Sequence, residues 1–111
     1  MPQESLAIHV RPGKSADTRI LTLEGPVTLA NLFAFQGELR KESPALTILD
    51  LSGVPYMDSA GMGAIINSYV SAQKSGRKLV LAGVSERVHT LLQLTNTDKL
   101  LTVVPTVADA E

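Results

Sequence analysis

One serine stands between an acidic residue and a run of small ones in Met57-Asp58-Ser59-Ala60-Gly61-Met62-Gly63, just after the apolar stretch Leu46-Thr47-Ile48-Leu49-Asp50-Leu51. This order predicts a strand, a short Gly/Pro loop and a long helix that opens on Ser59. A hydroxyl placed there lies at the positive end of a helix beside a sheet edge, where a phosphate is well held. The plainer reading is that serine is a favoured helix cap and needs no other reason to occupy the position. Gly61 and Gly63 bear on the choice, because each weakens a helix by roughly 1 kcal/mol relative to alanine. Two of them in the first turns signal either close approach of something to the backbone or packing against another element. Asp58 also has two readings: orienting Ser59 or meeting a partner, or simply a favourable charge near a helix N-terminus.

The elements that must position this segment follow from apolar periodicity. Leu6, Ile8 and Val10 alternate with Ala7 and His9 and predict a half-buried strand, followed by turn chemistry at Arg11-Pro12-Gly13-Lys14-Ser15. Thr18 to Glu24 predicts the second strand of an antiparallel hairpin, broken by Gly25-Pro26. Thr28 then reads as an N-cap, with Leu29, Leu32, Phe33, Phe35 and Leu39 as the apolar side of a helix that Ser43-Pro44 ends. The third strand, Leu46 to Leu51, is apolar on both faces apart from Thr47 and Asp50, which predicts a central position covered by helices. Asp50 reads either as a strand end bonded to its loop or as part of an acidic patch.

The second helix is expected from about Ala60 to Ser75, with Met62, Ile65, Ile66 and Tyr69 toward the sheet and Gly76 as its stop. Lys74, Arg77 and Lys78 complement its negative end. Leu79 to Ala82 is a fourth strand, Ser85 caps a third helix with the stripe Val88, Leu91, Leu92 and Thr95, and Leu100 to Val104 is a last strand. The order ββαβαβαβ predicts a largely parallel sheet with right-handed crossovers.

The 111 residues suit one domain, and an apolar fraction of 44% suits a packed core. With no cysteine, disulfides, zinc-thiolate sites and thiol catalysis are excluded. Ten basic and eleven acidic residues give a net charge of −1, with no basic face and only four aromatics for base stacking, so no nucleic acid partner is expected. Met1-Pro2-Gln3-Glu4-Ser5 has no basic n-region or apolar h-region, and no apolar run approaches the roughly 20 residues that cross a bilayer. A cytoplasmic domain without membrane insertion is the expectation.

The segment from Ile48-Leu49-Asp50-Leu51-Ser52-Gly53-Val54 through Gly63 closely resembles the core motif of the STAS family. Gly76-Arg77-Lys78-Leu79-Val80-Leu81-Ala82 resembles the turn into that family's fourth strand, and Val88 to Leu101 its closing helix and strand. The resemblance covers essentially the whole chain. It implies one STAS-like α/β domain over residues 1–111: a mixed sheet with an N-terminal hairpin, parallel central strands and covering helices. The family includes the bacterial anti-sigma factor antagonists, whose switch is a phosphorylated serine directly after the aspartate. That role carries over to Ser59.

The implied partner is an anti-sigma factor that is also a serine kinase with an ATP-binding domain. It would meet Asp58, Ser59, Ala60, Gly61, Met62, Gly63 and Asn67, and be released once Ser59 is phosphorylated. A serine phosphatase is a further implied partner. The chain would be substrate and regulator rather than enzyme, with no cofactor or metal of its own. Four positions depart from the family pattern: Ala60 follows the switch serine where many antagonists have Ser or Thr, Met62 replaces a leucine, and Pro26 and Thr28 stand where an acidic residue and an aspartate are common. The alternative within the family is a non-switching subunit of a lipid or anion transporter, or of a signalling scaffold.

Other constellations fit less well. A hydrolase elbow needs glycine where Met57 stands. His9 and His89 are distant from Ser59 in sequence, and Gly61-x-Gly63 lacks the third glycine of a dinucleotide loop. A receiver domain would need an acidic pair at Val10-Arg11-Pro12 and a lysine at Val104-Pro105-Thr106.

Overall fold

The computed structural model describes residues 5–41 and 44–111. The expected helix stop at Ser43 and the reading of residues 1–4 lie outside the described residues. The strands are β1 (Ala7–Pro12), β2 (Thr18–Glu24), β3 (Leu46–Gly53), β4 (Lys78–Ala82) and β5 (Thr102–Val104). The helices are α1 (Leu32–Lys41), α2 (Ser59–Lys74), α3 (Glu86–Leu94) and a four-residue α4 (Val107–Ala110). One sheet carries the strands in the order β1-β2-β3-β4-β5. β1 and β2 form the antiparallel hairpin, and β2 to β5 are parallel. This is the mixed α/β fold that the sequence pattern predicts.

The period of two along the strands sorts their side chains between two layers. Leu21, Leu23, Leu49, Leu51, Leu79 and Leu81 face the main core, with Phe35 of α1, Met62, Ile65 and Ala72 of α2, and Val88 and Leu92 of α3. Ile20, Ile48 and Ala82 face the opposite side, where Val107 and Ala110 of α4 pack against them. Cover on both faces is why β3 reads as an almost unbroken apolar run.

Boundaries moved where backbone pairing overrode local punctuation. β1 extends through Pro12, because on an edge strand the missing N–H of proline costs no ladder bond. β5 starts only at Thr102, since Thr97–Lys99 forms a 3₁₀ turn that buries Leu101 first. α2 stops at Lys74. Gly76 follows in the left-handed region at φ 71°, and Arg77 N–H closes the end on Ala72 O at 2.8 Å.

Candidate functional site at the start of the second helix

The connection after β2 and the loop after β3 lie side by side. Gly25 N–H donates to Gly53 O at 2.9 Å, Val27 N–H to Tyr56 O at 3.2 Å, and Asp58 N–H to Val27 O at 3.2 Å. Val27 thereby forms an isolated parallel bridge with Met57. Two chain segments thus turn into helices at one pole, beyond the carboxyl ends of parallel strands, where open α/β sheets place their sites.

Asp58 holds this pole together. Its Oδ1 accepts from Gly61 N–H at 2.9 Å, and its Oδ2 accepts from Leu29 N–H at 3.0 Å. One carboxylate therefore caps α2 and fixes the 3₁₀ turn Leu29–Asn31 that leads into α1. The Gly61 N–H holds the carboxyl below the usual aspartate range. Burial opposes this, and bonds from the Leu29, Ala60 and Asp58 backbone reinforce it. Neither reading of Asp58 anticipates this capping role, which goes beyond a favourable charge near the helix N-terminus.

The expectation that Ser59 is the cap is corrected here: the cap is Asp58, and Ser59 is the first helical residue. An ionised carboxylate competes better than a hydroxyl for the orphan N–H groups of a first turn. Ser59 is consequently exposed, and among the described residues its hydroxyl has no hydrogen-bond partner. Asn67 is exposed, Ala60 and Gly63 are half-buried, and Gly61 and Met62 are buried.

The two glycines separate cleanly. A Cβ on Gly61 would press on the Val27 carbonyl oxygen and stand 2.9 Å from Val27 Cγ1, so this glycine lets α2 pack against the bridge. A Cβ on Gly63 would meet nothing within 4 Å. Met62 is anchored inward, with its sulfur 3.9 Å from the buried Thr97 hydroxyl.

Asp50 accepts from Ser52 N–H at 3.1 Å and from Ser52 Oγ at 2.7 Å, which is the strand-closing role. The flanking loop is braced by Arg87, whose guanidinium lies 4.9 Å from the Tyr56 ring centroid. His9 stands 3.9 Å from Glu24, and His89 is exposed on α3; neither bonds Ser59. Among the described residues no three His, Cys, Asp or Glu side chains gather into a metal site. Nor is any helix there long and apolar enough to cross a membrane.

Two apolar residues at the entry to α1 are exposed against expectation. Leu29 and Phe33 were assigned to the apolar side of the first helix, yet they are 67% and 83% exposed. The 3₁₀ turn has three residues per turn, so it breaks the helical phase assumed for Leu29. Leu32, Phe35 and Leu39 form the true inward stripe. Phe33, one residue after Leu32, falls outside that stripe, and this spacing was the available signal.

Comparison with known proteins identifies the family. Residues 9–110 match the STAS domain family. Over 63 residues, 57% of this chain and 54% of the relative, the sequence is 35% identical to the anti-sigma-B factor antagonist of Listeria monocytogenes. Over 60 residues, 53% of this chain and 62% of the relative, it is 35% identical to the intermembrane phospholipid transport system binding protein MlaB of Escherichia coli. The chain thus spans between half and two thirds of the length of these curated relatives. The crystal structure of an anti-sigma factor antagonist from Mycobacterium paratuberculosis superposes with a TM-score of 0.84, covering 96% of this chain and 91% of that one. Identity there is 20%, so this likeness concerns the fold. Fold, sequence match and the Asp58–Gly63 motif agree: the chain belongs to the STAS domain family.

Proposed function

We propose that this chain is an anti-sigma factor antagonist: a cytoplasmic, single-domain partner switch that binds an anti-sigma factor with serine kinase activity and is released when Ser59 is phosphorylated. The observation that carries this reading is the exposed, unengaged hydroxyl of Ser59, set on a rigid helix start whose cap is already filled by Asp58. In the proposed reaction the kinase holds ATP, Ser59 Oγ attacks the γ-phosphorus, ADP leaves, and the hydroxyl proton passes to a base on the kinase. A serine phosphatase would restore the hydroxyl by hydrolysis.

The electrostatics support release rather than internal storage of the phosphate. Phosphorylation adds about −1.5 to −2 charges. Asp58 already occupies the Gly61 N–H that would otherwise receive a phosphate oxygen, and its own negative charge lies one residue away. The new charge must therefore face the partner. A thousandfold loss of affinity needs only about 4 kcal/mol, which an unpaired charge in an interface supplies. In this reading Ser59, Gly63 and Asn67 touch the partner, with Leu29 and Phe33 beside them. Asp58, Ala60, Gly61 and Met62 set the shape of that surface.

The test pairs the chain with its candidate kinase and ATP, followed by mass mapping and calorimetric titration of variants. Labelling is expected at Ser59. Ser59→Ala should keep partner binding, and Ser59→Asp should weaken it, though less than phosphate does. Labelling confined to Thr28 or Ser85 would overturn the assignment of Ser59.

A second reading is a non-switching subunit of a lipid or anion transporter, or of a signalling scaffold. The 35% identity to MlaB favours it. Its signature is a confirmed partner that binds the parent and Ser59→Asp equally, with no phosphate on Ser59.

A further inference from the structure

At the opposite pole, below the amino ends of β2, β3 and β4, a cleft of about 320 Å³ opens between α1 and α2. Its floor breaks the pattern of the sheet. On the face toward the helices the cross-strand rungs read Leu21-Leu49-Leu81, then Arg19-Thr47-Leu79. Arg19 and Thr47 are only 5% and 6% exposed, so two polar side chains occupy places where the leucine core could continue. Burying them is unfavourable unless they have partners. Arg19 is anchored, donating to Glu38 O at 2.9 Å and Leu39 O at 3.3 Å at the end of α1. The Thr47 hydroxyl lines the cleft and has no hydrogen-bond partner among the described residues.

Three further cations line the same cleft: Arg40 from the last turn of α1, and Arg77 and Lys78 from the turn into β4. Among the described residues none of the three has a carboxylate within ion-pair distance, and no described Asp or Glu lines the cleft. Arg77 and Lys78 also complement the negative end of α2, and Arg40 that of α1; the fold sets all three along one cleft. Ser68 and Ser71 of α2 add hydroxyls along the wall. The volume falls at the lower end of the roughly 300–1,000 Å³ typical of small-molecule sites.

The geometry points to a binding site for a small phosphate-bearing anion, held by Arg40, Arg77 and Lys78, with the Thr47 hydroxyl as an inner donor. Convergent cations with hydroxyl donors match the several acceptor oxygens of a phosphate group. The cations lie toward the end of the domain away from Ser59, while Asn67 of the proposed partner surface lines the same cleft; the site does not depend on Ser59 being phosphorylated. The phosphate could belong to a soluble metabolite or to a lipid headgroup, and the two sources are separable.

Calorimetric titration of the full chain at low salt uses inorganic phosphate and AMP as soluble probes. A flotation assay uses phosphatidylcholine vesicles carrying phosphatidic acid. The variants are Arg40→Glu/Lys78→Glu and the nearly isosteric Thr47→Val, each checked by its melting curve. Saturable binding of a soluble probe, weakened roughly tenfold or more by the charge reversal and about threefold or more by Thr47→Val, establishes the site with a soluble ligand. Binding to the vesicles alone, with the same losses, assigns it to a headgroup. Failure of every probe to bind, or binding that Thr47→Val and the charge reversal leave unchanged, overturns the proposal.

Discussion

The first two turns of α2 contain two glycines two residues apart, and the structure uses them in opposite ways. Gly61 faces inward, where the Val27 carbonyl leaves no room for a side chain. Gly63 faces open space and gains nothing from lacking one. The residues beside them divide likewise: Asp58 is committed to two backbone N–H groups, and Ser59 is bonded to none of the described residues. One side of this turn is built for stability. The other bears a helix-weakening glycine and an unused hydroxyl, a combination that stability does not explain.

Gly61→Ala should show the largest effect on stability, because the clash is with backbone that cannot rotate away. Overpacking of this kind costs about 1–3 kcal/mol, a fall in melting temperature of roughly 5 °C or more. A melting temperature equal to that of the parent would show that the inner side is not tightly packed.

Asp58→Ala comes next, at about 1–2 kcal/mol for the lost cap, read by urea unfolding at neutral pH. The same residue predicts a pH dependence. Its carboxyl is held below the ordinary value when folded. That contribution is complete above the unfolded-state pKa near 4 and fades as pH falls through the lower folded value. Asp58→Asn should keep part of the cap while flattening this acid loss. Parallel pH profiles for the parent and Asp58→Asn would refute the assigned role.

Gly63→Ala should raise stability by about 0.5–1 kcal/mol, since helix propensity improves and nothing is displaced. Bulk at the same place sharpens the contrast further: Gly63→Leu should stay folded yet weaken partner binding in the titrations that test Ser59. Loss of stability in Gly63→Ala would mean that the outer side resembles the inner one.

Ser59→Ala should have the smallest effect on stability, within about 0.5 kcal/mol in the same unfolding assay. A loss of 1 kcal/mol or more, the usual cost of removing a helix cap, would restore serine as the cap.

Much of this was legible in the sequence because it rests on short-range physics. The period of two in β2 and β3, the stripe of Met62 and Ile65, and the stop at Gly76 all act within a few residues, and each element formed where its pattern indicated. The motif around Ser59 was also legible as an accessible helix start. Leu29 and Phe33 do not face the core as expected: a 3₁₀ turn takes Leu29 out of the helical phase, and Phe33 falls outside the inward stripe of Leu32, Phe35 and Leu39.

The sequence by itself determined the family, the order of the five strands and of α1 to α3, and the position of the one hydroxyl in the motif, but not α4. Tertiary structure alone decided three things. It made Asp58 rather than Ser59 the cap, because Asp58 also reaches Leu29 N–H, 29 positions away along the chain. It told Gly61 from Gly63, because Val27 arrives from another connection to touch only one of them. It gathered Arg40, Arg77 and Lys78 over Thr47, because parallel pairing sets β2, β3 and β4 in register. Periodicity reports which way a side chain faces; what it meets there depends on segments brought in from elsewhere in the chain.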